Sequence, residues 1–213
     1  MTLQPSTFIT MDNTIPRIFS PNKSHWIYQR FGKENTNPSV AHIYAEMGLL
    51  GHDGWDWMVS CKNSTAITGG QCEPLYCNVD GYSTITYIQK DVKYGFGIMA
   101  LDQNNNYKHL WWHFDSINPQ LKVGSRLEAG VFLGIAGNTG NSTGAHCHQA
   151  LYSYEAGDNG YKGAIDMTPF YTPIFILDHL LTMQKTIGVI EQFKSLIPNF
   201  QEIINKIKKG FSR

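Results

Sequence analysis

The amino-acid sequence predicts a mainly β protein, a sandwich of strands followed by a helical tail. Three runs rich in β-branched and aromatic residues predict strands: Thr84–Ile88, Gly95–Leu101 and Val131–Ala136. Polar clusters such as Asp102–Asn106 separate them and are typical of turns. Many short strands joined by polar turns indicate a β-sandwich.

The tail is predicted from residue 173 onwards, where apolar residues recur at helical spacing. Pro198 interrupts this pattern, so we expect two amphipathic helices within residues 173–213. We expect their apolar faces to pack on the domain or to associate with a second copy. Contact with a membrane surface, a partner or a virion is the alternative.

The segment before the β-rich body contains Pro5, Pro16 and Pro21 and has no clear periodicity. We therefore expect residues 1–27 to be a leader segment that packs on the surface or is loosely ordered. Residues 28–172 are then the body of the protein.

Composition and charge exclude several classes of function. The chain has 213 residues, of which 42% are hydrophobic and 16% charged, a composition that can bury a sizeable core. Seventeen basic and seventeen acidic residues give zero net charge, which argues against a nucleic-acid partner bound through charge. No apolar run has the length of a transmembrane helix. Residues Met1–Ile9 lack the basic and apolar regions of a secretory signal.

The chemically informative residues are among the eight histidines. His52 stands four residues before Asp56, His113 follows an aromatic run, and His146 and His148 follow a Gly- and Asn-rich segment. Residues i and i+2 of a strand share a face, so His146 and His148 would project side by side.

Two imidazoles and one carboxylate, with an open fourth position, form the ligand set of a catalytic zinc. The four cysteines, at positions 61, 72, 77 and 147, contain no C-x-x-C pair, and the helical H-E-x-x-H motif is absent. Spacing alone leaves two interpretations open: a metal site, or a His-x-His pair that occurs in a sheet by chance.

The order of these residues and the segments between them resemble the lysostaphin-type zinc endopeptidases of bacterial cell walls. That family carries H-x-G-x-D, then a lone His, then H-x-H, and this order is present at His52–Asp56, His113 and His146–His148. Four further segments match the family scaffold: Arg30–Gly32, Pro74–Gly81, Lys122–Gly130 and Thr139–Gly144. The resemblance covers about residues 28–172.

The resemblance implies that His52, Asp56 and His148 bind one Zn²⁺, and that His113 and His146 are the catalytic pair that does not bind metal. Which of the two is the general base stays open. The implied fold is a compact two-sheet antiparallel sandwich with the metal in a groove. The implied activity is hydrolysis of peptide bonds in the peptidoglycan stem or cross-bridge by metal-activated water.

The chain departs from the family pattern next to the last ligand. Gln149-Ala150 stand where Phe-Glu is usual, which leaves the ligands intact but changes their support. Cys147 replaces the usual Leu and is expected in the core.

We expect Tyr44, Trp111 and Asn141 to contact the substrate. Trp111 shares a strand face with His113 if residues 107–114 are continuously extended, which would place it in the cleft; a core position is the alternative. Cys61 and Cys72 are placed to close a small loop by a disulfide outside the cell.

Three alternatives to the endopeptidase stay open. The first is a weak or inactive wall-binding or activator module, and the second is a structural component of a virion with the same fold. The third is a D-alanyl-D-alanine carboxypeptidase, in which the first His and Asp are typically further apart than His52 and Asp56. We expect the protein to act at the bacterial cell wall, whether secreted, periplasmic or phage-delivered, and the sequence does not identify the bond that is cut.

Overall fold

The structure is a computed structural model that describes residues 17–62, 71–91 and 93–196. Twelve strands form within these ranges: β1 (Ile18–Ser20), β2 (Ile27–Gln29), β3 (Trp55–Met58), β4 (Pro74–Tyr76), β5 (Tyr82–Asp91), β6 (Gly95–Asp102), β7 (Tyr107–Ile117), β8 (Arg126–Glu128), β9 (Phe132–Ala136), β10 (His146–Ser153), β11 (Ala164–Ile165) and β12 (Tyr171–Phe175). Two α-helices accompany them: α1 (Ala41–Glu46) and α2 (Ile176–Leu196). The three predicted strand runs lie in β5, β6 and β9.

The main sheet is antiparallel, and its strands follow the order β2-β3-β10-β7-β6-β5-β8. The long strand β7 is shared: its first half pairs with β6 and β10, and its second half pairs with β9, which in turn pairs with β4. The expected mainly β, antiparallel architecture is confirmed. The layers expected as two sheets are joined through β7 into one hydrogen-bonded network of ten strands.

Large aromatic and aliphatic side chains fill the core. Trp55, Trp57 and Trp111 are fully buried, on the strands β3 and β7 that flank β10. Burying each such side chain contributes about 1.5–3 kcal/mol relative to leaving it in water. The core therefore stabilises the strands on both sides of β10.

The segment expected to be a leader contributes to this core. Ile18 and Phe19 are fully buried, and β1 pairs in parallel with β12. Residues 18–22 of this segment are therefore part of the core, while residues 1–16 lie outside the described residues. The contacts divide the chain between Ile176 and Leu177, four residues after the predicted boundary at 172.

The first predicted tail helix is confirmed as α2. The second, after Pro198, lies outside the described residues. Among the helices that the structure describes, none has the length and apolar character needed to span a membrane. A role of the tail in self-association or partner binding stays a prediction.

His109 is a buried titratable group on β7. Its side chain is fully buried, and neither ring nitrogen has a hydrogen-bond partner among the described residues. Burial lowers the pKa of His109 to about 4, although the nearby Asp102 carboxylate acts in the opposite direction. His109 is therefore neutral in the folded protein at pH 7.

We predict that His109 makes the folded protein less stable as the pH falls. The unfolded chain takes up a proton near pH 6.5, whereas the folded chain does so only near pH 4, so stability is lost between these values. His109→Leu should remove about 2 kcal/mol of the fall in unfolding free energy between pH 7.5 and 5.0. Urea unfolding of both proteins at the two pH values measures this, and equal pH dependence in the two proteins would contradict the assignment.

Candidate metal centre and catalytic groove

Two neighbouring strands and the loop before them bring three ligand atoms together. Asp56 lies on β3 directly opposite His148 on β10, and His52 enters from the loop before β3. Gly54 allows this approach, because a Cβ there would lie 2.3 Å from the backbone oxygen of Gln149 and 2.8 Å from the ring of His148. The spacing H-x-G-x-D thus has a steric cause.

The three ligand atoms are arranged as around one metal ion. The Oδ1 atom of Asp56 lies 3.1 Å from His52 Nε2 and 3.0 Å from His148 Nδ1, and the two nitrogens are 3.1 Å apart. A tetrahedral zinc with bonds of about 2.0–2.1 Å places its ligand atoms about 3.3 Å apart. Among the described residues, this is the cluster that has the donors and the spacing for a metal.

An oxygen atom on the far side of each imidazole orients that ring toward the metal position. The Nδ1–H of His52 donates to the backbone oxygen of Arg30 at 2.8 Å, which leaves Nε2 free to bind metal. His148 turns Nδ1 toward the cluster, and its Nε2 lies 3.5 Å from Oδ1 of Asp53. An acceptor behind each imidazole is the usual support of metal-binding histidines.

Electrostatics favour an ionised carboxylate at the centre. Burial raises the pKa of Asp56, but the close approach of the His148 and His52 rings outweighs burial and holds it well below its usual value. Burial lowers the pKa of His148, but the carboxylates of Asp56 and Asp53 raise it overall. The centre is therefore an anionic position among nitrogen donors, as a divalent cation requires.

The two other predicted histidines stand beside the ligands. His146 Nε2 lies 3.5 Å from Asp56 Oδ1, and the rings of His113 and His146 are 4.6 Å apart. The Nδ1–H of His113 donates to the backbone oxygen of Thr139 at 2.6 Å, and that of His146 donates to the backbone oxygen of Gly144 at 2.8 Å. Each Nε2 is left without a proton and can accept one.

Both of these rings are neutral at pH 7. Burial lowers the pKa of His113 to about 3, assisted by the nearby His146 and His148. Burial also lowers the pKa of His146, in spite of the Asp56 carboxylate. The structure thus brings together all five residues predicted for the metal and the catalytic pair; their roles stay predictions.

His113 is held by an irregularity in β7. In the pairing with β6, Trp112 lies opposite Gly97 and Phe114 opposite Phe96, so His113 is an extra residue. Its φ of 69° is in the left-handed region, which is uncommon for residues other than glycine. Such a β-bulge interrupts the alternation of faces and redirects a side chain.

The bulge corrects the prediction for Trp111. We expected Trp111 to line the cleft, but it is fully buried in the core, where its Nε1–H donates to Asn78 Oδ1 at 2.9 Å. Trp112 lines the groove instead, beside His113. Sequence reasoning missed Trp112 because strict alternation puts it on the opposite face from His113, and the bulge is visible only once β6 and β7 are paired.

The metal position opens into a groove of about 840 Å³. Its lining includes Asp56, His113, His146 and His148, while His52 is fully buried beneath. The two other residues predicted to contact the substrate are also in the lining: Tyr44 and Asn141. Their contact with a substrate stays a prediction.

The donor set and the open groove are those expected of a zinc metallopeptidase. Residues 62–160 match the model of peptidase family M23, a segment that contains His113, His146 and His148 and begins after His52 and Asp56. The match covers slightly less than half of the 213 residues, and it supports the resemblance to this family that the sequence indicates. No curated protein matches the chain.

Several solved structures are similar at low identity. A zinc-containing peptidase from Vibrio cholerae is 20% identical over 70% of this chain and 38% of its own, with a TM-score of 0.49. Lysostaphin from Staphylococcus simulans is 19% identical over 72% of this chain and 53% of its own, with a TM-score of 0.48. LytU is 24% identical over 78% of this chain and 89% of its own, with a TM-score of 0.45. The chain thus spans less than half of the Vibrio cholerae protein, and these likenesses are too distant to assign an activity.

We predict that zinc content distinguishes variants of the proposed ligands from variants of the proposed catalytic pair. His148→Ala should reduce bound zinc from about one per chain to near zero, because a two-ligand site binds zinc weakly. His113→Ala and His146→Ala should keep zinc and lose peptidase activity. Metal content after dialysis, measured by mass spectrometry, tests both statements. Loss of zinc from either of the latter variants would show that the ligand assignment is wrong.

We predict that Gly97 is needed to seat Trp112 in the groove wall. A Cβ at Gly97 would lie 1.8 Å from the Trp112 ring, so Gly97→Ala must displace that ring. Peptidase activity should fall about 10-fold or more while zinc content is unchanged, because small displacements at a reacting centre are costly. Gly188→Ala is the control, since its Cβ would meet no atom within 4 Å. Full activity in the Gly97 variant would exclude a role of this wall.

Proposed function

We propose that this protein is a zinc endopeptidase that hydrolyses peptide bonds in the stem or cross-bridge of peptidoglycan. The observation that carries the proposal is the pair of neutral imidazoles beside the three-ligand centre, in an open groove. His113 and His146 each keep Nε2 free while Nδ1–H is fixed by a backbone carbonyl. A purely structural metal site has no need of such a pair.

The chemistry of the residues follows from these positions. His52, Asp56 and His148 would hold zinc, which supplies a Lewis acid that activates water at neutral pH. The Nε2 of His146, 3.5 Å from Asp56 Oδ1, is placed to accept a proton beside the ligands. Once protonated, that Nε2–H becomes a donor to the leaving amine.

The second imidazole has a complementary task. His113 is fixed by Thr139 and lies with its ring 6.1 Å from that of His148, on the groove side of the ligands. From there its Nε2 can accept the proton that His146 takes from water; the resulting Nε2–H can donate to the negative oxygen that develops on the scissile carbonyl, and the proton returns to His146 for the leaving amine. We propose His146 as the general base and His113 as the residue that stabilises this oxygen.

The place of action is proposed from the cysteines. Cys61 and Cys72 form a disulfide, as the sequence allowed, while Cys77 and Cys147 are free and buried. Disulfides persist in oxidising surroundings outside the cytoplasm. This supports action at the cell wall, with secretion, the periplasm and phage delivery as the routes.

We predict that the purified, zinc-loaded chain releases new amino termini from peptidoglycan. Sacculi of several chemotypes, with glycine-rich and with direct cross-links, are digested, and mass spectrometry of the muropeptides identifies the cleaved bond. His146→Ala is the matched control, because it should bind zinc without turnover. If zinc-loaded protein releases nothing from any chemotype but sediments with the sacculi, the chain is a wall-binding module and the enzyme proposal fails.

A further inference from the structure

A pair of amide side chains lies in the core directly behind the metal centre. Asn78 and Gln149 are both fully buried. Gln149 Nε2 donates to Asn78 Oδ1 at 3.0 Å, and Asn78 Nδ2 donates to Gln149 Oε1 at 2.9 Å. The two amides therefore form a cyclic pair that is closed by two hydrogen bonds.

Two buried indoles complete the set of hydrogen bonds. Trp57 Nε1–H donates to Gln149 Oε1 at 2.9 Å, and Trp111 Nε1–H donates to Asn78 Oδ1 at 2.9 Å. Asn78 Nδ2 also donates to the backbone oxygen of Phe19. Each amide oxygen thus accepts two hydrogen bonds, one from the other amide and one from an indole. A buried group of this kind is costly in any arrangement that leaves one member without its partner.

The members of this group are neighbours in sequence of the residues in the groove. Trp57 follows Asp56 on β3, and Gln149 follows the ligand His148 on β10. Trp111 immediately precedes Trp112 of the groove wall on β7. Successive side chains of a strand point to opposite faces, so the amide group fixes from the core side the same three strands that carry the centre on the groove side.

Apolar packing alone does not specify this alignment. In the present register, Gln149 lies opposite Trp55 on β3 and Trp111 on β7. A slip of β10 by two residues would keep every side chain on its face of the sheet, but it would separate His148 from Asp56 and Gln149 from Asn78. Apolar side chains can repack after such a slip, whereas the hydrogen bonds among Asn78, Gln149 and the two indoles form in one register only.

We propose that the Asn78–Gln149 pair, with Trp57 and Trp111, is a positioning element of the metal centre. It holds β10 in register between β3 and β7 and so keeps Asp56 and His148 at metal-binding separation. The proposal rests on the metal centre of the proposed function, but not on which bond that function cleaves. It also gives a task to Gln149, which stands where the family pattern has Phe.

The test measures metal binding, which does not depend on peptidase activity. Gln149→Met keeps the length of the side chain and removes its hydrogen bonds. Zinc affinity, measured by competition with a chelator, should fall about 10-fold to 100-fold, the range found for residues that support metal ligands. The absorption spectrum of the Co²⁺-substituted protein should change, because the ligand geometry changes.

A matched control separates positioning from stability. Leu127→Ala also removes a fully buried side chain, but on β8 at the opposite end of the sheet. If Leu127→Ala lowers the Tm about as much as Gln149→Met does, it should still keep the zinc affinity and the Co²⁺ spectrum of the unchanged protein. If the two variants lose zinc affinity equally, the amide pair is ordinary core packing and the proposal is overturned.

Two further variants test the same hydrogen bonds without depending on whether Gln149→Met folds. The exchange Asn78→Gln with Gln149→Asn retains both amides and should recover part of the zinc affinity that Gln149→Met loses. Trp57→Phe removes one donor to Gln149 and keeps an aromatic ring, so it serves if Gln149→Met does not fold. An unchanged Co²⁺ spectrum and zinc affinity in Trp57→Phe would overturn the proposal. If the unchanged protein binds zinc and the variants lose affinity as expected, but no peptidoglycan is cleaved, only the proposed function is overturned.

Discussion

The register of β10 between β3 and β7 is the constraint on which the rest of the structure depends. His148 lies opposite Asp56 on one side and opposite Trp112 on the other. Since faces alternate along each strand, this one alignment sorts polar ligands to the groove and large apolar side chains to the core. Because the three candidate ligand atoms lie only 3.0–3.1 Å apart, a different alignment would separate them too far to share one metal ion.

The centre departs from regular sheet geometry at the points where its chemistry requires it. His52 comes from a loop that packs tightly over Gly54, and His113 occupies a left-handed bulge. Backbone carbonyls then fix the protons of both His113 and His146. The regular strands thus supply rigidity, and the irregular positions aim the side chains.

The sequence predicts the clustering of His52, Asp56 and His148 better than it predicts the residues around that cluster. The motifs that contain His52, Asp56 and His148 are short and local, so they can be recognised in the sequence. The spacing of these residues alone does not distinguish a metal site from a His-x-His pair that occurs in a sheet by chance. The position of Trp111 was predicted wrongly because the bulge at His113 depends on pairing with β6. Asn78 and Gln149 are 71 positions apart in the sequence, so no local sequence pattern predicts that they pair. The burial of Ile18 likewise depends on a strand at the far end of the body.

That last pairing has a mechanical consequence. β1 and β12 are the first and the last strands that the structure describes, and they run parallel, with Ile18 opposite Tyr171 and Ser20 opposite Phe175. Tension that pulled Ile18 and Phe175 in opposite directions would draw these strands lengthwise past each other. Their hydrogen bonds would then share the force in shear and would not open one at a time, as they do when the strands of a hairpin are peeled apart. The first and the last described strands of the body would therefore resist such a load together.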